Sequence, residues 1–123
     1  VRIYIFSTFY WEDVDLSYRA WKRGWKIIYE PRSVLYHYHR STISKAFNSN
    51  YIAFIGERNR YLVVWKNIFD RRFLLQHLFF IPLRLARNLF KGKLVLVSAF
   101  FAALGRLRMV LNRRKTERQE AIR

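Results

Sequence analysis

From Asp13 onward apolar side chains recur at helical spacing: Val14, Tyr18, Trp21 and Trp25 lie at offsets of 4, 7 and 11 and share one face. The spacing predicts a helix over 13–25 with that stripe buried, and Gly24 is placed to terminate it. Before it, VRIYIF at 1–6 is β-branched and aromatic enough for a strand. After it, WKIIYE and SVLYHYH read as two extended runs separated by Glu30-Pro31-Arg32, where the proline interrupts backbone pairing. RSTISK is a polar loop. Helical spacing returns over 51–69, with Ile52, Ile55, Leu62, Trp65 and Phe69 on one side and Glu57, Arg58 and Lys66 largely off it. A further helix is predicted over about 72–90, kinked near Pro82, and another over about 93–112 containing LVLVSAFFAAL.

Composition changes the picture in two ways. The chain has 123 residues, 52% of them hydrophobic and 19% aromatic, a rich content for so small a core. It also carries 24 Lys plus Arg against 8 Asp plus Glu, a formal charge of +16, which calls for an anionic partner. The excess is uneven: residues 46–123 hold sixteen basic and four acidic side chains, whereas 1–45 hold eight and four. Cysteine is absent, which excludes disulfides and thiolate metal sites. The eleven-residue run LVLVSAFFAAL is too short to cross a bilayer, which needs about 20 apolar residues, so an interfacial or partner-packed helix is expected.

Against this basic background three carboxylates, Glu12, Asp13 and Asp15, fall within four positions. One explanation is structural, since acids at a helix start meet the positive end of its dipole, worth about 0.3–1 kcal/mol each. Asp13-Val14-Asp15 also spells D-x-D, but positions two apart on a helix diverge too far to chelate one cation. A chemical role needs one ionised carboxylate facing a cleft and able to take a proton from a substrate hydroxyl. Among the tryptophans, Trp21 and Trp25 lie on the expected core stripe, which leaves Trp11 as the fair candidate for contact with a ligand.

The longer string YWEDVDLSYRAWKRGWKIIYEPRSVLYHYH resembles the carboxyl-terminal half of the catalytic domain of family 2 glycosyltransferases, inverting enzymes of GT-A fold. The positions that carry the resemblance are Glu12, Asp13, Asp15, Leu16, Arg19, Ala20, Gly24, Pro31 and His37. STISK, ERNRYLVVWKN and HLFFIPLRLARNLFKGK look like the trailing helices of bacterial members that build rhamnose-containing and other surface polysaccharides. The resemblance implies an α/β fragment: residues 1–45 as the acceptor-side end of the catalytic domain, and 46–123 as a helical, basic tail on the cytoplasmic face of the plasma membrane. It implies that Asp13 is the base that deprotonates the acceptor hydroxyl during transfer from a nucleotide diphosphate sugar to a saccharide or lipid-linked acceptor. Glu12 and Trp11 would contact the acceptor. His37 would join a divalent cation, Mn²⁺ or Mg²⁺, held mainly by residues outside this chain, and His39 and Arg40 would touch diphosphate or acceptor. A neutral imidazole suits Mn²⁺ better than Mg²⁺.

The family's nucleotide-binding half, with its own D-x-D, has no counterpart in the sequence, so a carboxyl-terminal fragment, inactive alone and partnered by an amino-terminal half, is expected. A rival from another class is a peripheral membrane-binding or scaffold protein in which Asp13 only stabilises a helix start. Nucleic-acid binding fits less well, because the basic residues of 84–115 interleave with long apolar runs, which suits an anionic lipid surface better than a phosphate groove.

Overall fold

A computed structural model describes residues 10–34, 36 and 43–122. Among these the regular structure is entirely helical: α1 (Glu12–Lys22), α2 (Ile43–Ala46), α3 (Ser49–Asn67), α4 (Arg71–Phe90), α5 (Leu94–Leu104) and α6 (Leu107–Glu120). The expected α/β architecture is therefore corrected. The run at 25–30 has strand-like composition but no strand alongside it among the described residues, and an extended segment gains stability only by pairing its backbone and covering one face. Its Ile27, Ile28 and Tyr29 are exposed instead. The first expected strand, 1–6, lies outside the described residues, as does much of the third.

α3 is the central element, with α5 and α6 packed on it and α4 held mainly by α5. The apolar core is thin: Tyr61, Leu62 and Trp65 of α3 meet Ala103 of α5 and Val110 of α6, with Val64, Ile81, Phe100 and Leu107 packed around them. The small residues Ala99 and Ala103 are fully buried, which lets α5 approach α3 closely. Asn48 and Asp70 cap α3 and α4 through side chains that accept from Tyr51 N and Arg72 N. The single helix expected over 93–112 is two: the chain breaks at Gly105 and Arg106, and α6 turns 62° from α5. That turn returns Val110 to the core and carries Glu117 to α1. Among the described residues no single helix is long and apolar enough to cross a membrane; only the bent α5–α6 pair has the length and composition together.

α1 is attached to this bundle by charge. The expected buried stripe faces outward, with Val14, Trp21 and Trp25 exposed, Trp21 at 62%. The buried positions are Asp15 and Arg19, one helical turn apart. Asp15 is 1% exposed, and its two oxygens accept from Arg19 Nε at 2.9 Å, Asn67 Nδ2 at 2.6 Å and Lys66 Nζ at 2.5 Å. Arg23 then pairs with Glu117 at 2.9 Å and with Glu120 of α6. Hence Glu57, Arg58 and Lys66, expected largely off the packed face of α3, are buried. An apolar-face count misses them because their charges are satisfied inside the protein.

Candidate functional site

The carboxylates of the opening cluster separate by direction. Asp15 turns inward as the counter-ion just described, while Glu12 and Asp13 face solvent. The divergence of Asp13 from Asp15 on the helix is thus realised. Asp13 accepts from Val14 N at 2.8 Å, which satisfies one of the unpaired donors of the first turn. The residue preceding the helix does not do this: Trp11 is left-handed, with φ 74°, and makes no side-chain cap. Tyr10 is left-handed too, with φ 69°, and its carbonyl accepts from Asn59 Nδ2 at 3.1 Å. Two consecutive non-glycine residues in this region cost about 1–3 kcal/mol each, and such strain clusters at functional sites.

Asp13 borders an open, shallow groove lined by Val14, Ser17, Tyr18, Trp21 and Ile27. Tyr18 and Trp21, five and eight residues beyond Asp13 on α1, lie with ring centroids 5.8 Å apart and line the same groove. A carboxylate beside exposed aromatic faces suits a polyhydroxylated ligand: the rings take the apolar face of a sugar and the carboxylate accepts from a hydroxyl. Trp21, assigned to the core from its spacing, is therefore a site candidate that the sequence reading missed. The available signal was Asp15 and Arg19 at i, i+4, which claims the opposite side of the helix. Trp11 is half-buried at the head of α1, outside the lining of the groove.

The end of α1 fixes the other side of this surface. Trp25 N donates to Ala20 O at 3.1 Å and Gly24 N to Trp21 O at 2.9 Å, the paired bonds of a Schellman cap with Gly24 left-handed at φ 76°. Ile122 N donates to the free carbonyl of Lys22 at 2.9 Å, so the end of the tail docks on α1. Lys22 reaches Asn67 O and Oδ1, both at 3.3 Å, and sits 4.1 Å from the centroid of Phe69. Burial lowers its pKa to about 8; Glu117 opposes the shift, and Lys66 and Arg23 add to it.

His37, His39 and Arg40 lie outside the described residues. Among the described residues no group of three or more His, Asp or Glu side chains converges as a metal site, and Glu12 with Asp13 offers at most two carboxylates. Compared with protein-family models, curated proteins and solved structures, the chain has no match. The likeness to glycosyltransferases rests on the motif residues themselves.

Proposed function

We propose that the chain contributes the acceptor-side surface of an inverting glycosyltransferase that works at an anionic membrane, with Asp13 as general base. The observation that carries this reading is the Asp13 groove: a solvent-facing carboxylate, with no ion pair among the described residues, next to Tyr18 and Trp21, while neighbouring Asp15 is consumed by structure. Asp13 would take the proton of the acceptor hydroxyl as its oxygen attacks the anomeric carbon of the donor, and Trp21 would hold the acceptor ring. The donor, a nucleotide diphosphate sugar, and its cation would be held by a separate nucleotide-binding half. α4 would lie on the membrane, since it exposes Phe73, Leu75, Phe79, Phe80 and Phe90 among Arg71, Arg72, Arg87 and Lys91. Long basic side chains can extend to lipid headgroups while such apolar residues enter the interface.

The test is sugar transfer to membrane acceptors by the chain produced together with a nucleotide-binding half. Asp13→Asn should lower turnover by about 10²–10⁴-fold, the usual worth of general base catalysis, with an unchanged helical circular-dichroism spectrum. Trp21→Ala should raise the acceptor KM more than it lowers kcat. Equal turnover by Asp13→Asn and wild type would remove the base. The same helices would then act as a membrane-binding module without catalysis, the reading that the exposed face of α4 favours independently.

A further inference from the structure

A second site lies between α3 and α4. Because α4 is held by α5 more than by α3, a cleft of about 440 Å³ opens between α3 and α4. Arg60, Arg84 and Arg87 line it together with Tyr61, His77 and Phe80. Glu57 pins two of the three guanidiniums: Arg60 at 2.9 and 3.2 Å, and Arg84 at 3.0 and 3.1 Å. Each of these pairings uses Nε and Nη2 and leaves the Nη1 donors to spare. Arg87 is exposed and has no ion-pair partner among the described residues. Three guanidiniums against one carboxylate leave an excess of about two positive charges, which matches the charge of about −1.5 to −2 on a phosphate monoester near neutral pH.

The other polar groups of the cleft are donors as well. Trp65 Nε1 donates to His77 Nε2 at 3.2 Å, so His77 Nδ1 carries the ring proton. Burial, then Arg60 and Arg84, lower the His77 pKa, which keeps the ring neutral. The Tyr61 hydroxyl is buried without a hydrogen-bond partner among the described residues, an unspent donor beside the Arg60 guanidinium, 4.9 Å from the ring centroid. Burial and Glu57 raise its pKa, so it stays protonated. Ile81 forms part of the cleft wall and also lines an almost wholly apolar pocket of about 260 Å³, bounded by Leu74, Leu78, Phe100, Leu104 and Leu107. A cationic, donor-rich cleft thus adjoins an apolar slot.

We infer that the cleft between α3 and α4 binds the phosphate monoester headgroup of an amphiphile, with Arg60, Arg84 and Arg87 on the phosphate and the apolar chain over Ile81. Glu57 is the positioning residue that holds two of the forks. The site shares no residue with the Asp13 groove, so the catalytic assignment and this one can fail separately, whereas Phe80 and Arg87 belong also to the membrane face of α4.

The experiment compares binding of the full chain to neutral vesicles doped with phosphatidic acid, a monoester, and with phosphatidylglycerol, a diester, at matched surface charge. Inorganic phosphate serves as a soluble competitor. Phosphatidic acid should be preferred, and Arg87→Gln should erase the preference with a loss of about tenfold or more, the worth of a charge-assisted hydrogen bond. Tyr61→Phe should also bind phosphatidic acid less well while melting at the wild-type temperature or above, because it deletes a hydroxyl that has no hydrogen-bond partner among the described residues. Equal binding to the two lipids, or variants that bind phosphatidic acid as wild type does, would overturn the site. Inorganic phosphate that competes at micromolar concentration would overturn the amphiphile and leave a free-phosphate site.

Discussion

Removal of Asp15 tests whether α1 is docked by charge. Asp15 and Lys66 are each 1% exposed, and Arg19 is 7% exposed. Asp15→Ala leaves the ammonium of Lys66 without its 2.5 Å partner and Arg19 with only Glu117 at 3.9 Å. Loss of one partner from a buried ion pair costs about 3–5 kcal/mol, because the surviving charge is still excluded from water. For a domain whose total stability is about 5–15 kcal/mol, that is about a fifth of the whole at the least. The assay is urea denaturation followed by circular dichroism at neutral pH, with the midpoint and slope fitted separately. The double variant Asp15→Leu/Lys66→Met should recover the Lys66 share of the loss, since a buried pair replaced by apolar groups of similar size is often neutral or better, while the share of Arg19 remains. A single-variant loss under about 1 kcal/mol with an unchanged slope would refute the buried network and leave α1 undocked.

The remaining predictions concern the same surfaces. Trp21→Ala should cost less than about 1 kcal/mol, well below the 3–5 typical of a buried aromatic, and a larger loss by the same denaturation assay would return Trp21 to the core. Gly24→Ala should cost about 1–3 kcal/mol by strain at positive φ, and a Cβ there would also meet Ile122 Cδ1 at 2.6 Å; Gly92→Ala, with nothing within 4 Å, should cost less. Arg114→Gln should cost about 1.5–3 kcal/mol, because Arg114 Nη1 donates to the Trp65 carbonyl at 2.7 Å near the end of α3. Stability should rise with pH above about 8: Lys22 loses its proton there in the folded protein but near 10.5 in the unfolded chain, so the folded state binds fewer protons in that window. Lys22→Met should remove its share of the rise, and an identical slope in both proteins would refute the assignment.

Helices with a continuous apolar signal were legible in the sequence. Expectations of 51–69 and about 72–90 compare with Ser49–Asn67 and Arg71–Phe90, and Gly24 does end α1. What failed was the choice of face. Val14, Tyr18, Trp21 and Trp25 satisfy the periodicity of a core stripe, yet Asp15 and Arg19 satisfy it equally, and the carboxylate is the scarcer group in a protein so short of acids. Strands were read from local composition at 25–30, whereas a strand exists only with a neighbour to pair with. The break of α5 from α6 was signalled by Gly105 but obscured by apolar residues on both sides. For the site, Asp13 was legible as an outlier and Trp21 was not, since exposure of a large aromatic depends on what covers it.

The scarcity of acids also decides how much weight Asp13 can bear. Asp15 holds Arg19 and Lys66, Glu57 holds Arg60 and Arg84, and Glu117 reaches Arg19 and Arg23, each a buried counter-ion that joins two cations. Glu30 pairs with Arg32, Glu120 with Arg23, and Asp70 caps α4. Only Glu12 and Asp13 lack both an ion pair and an N-cap role among the described residues. A helix-start contribution of at most about 1 kcal/mol would account for either one as a stabiliser. It would not account for the place of Asp13 beside Tyr18 and the exposed ring of Trp21, after two left-handed residues whose strain costs more than the acids return. Asp13→Asn therefore separates the two roles cleanly: about 1 kcal/mol or less in stability, against orders of magnitude in transfer.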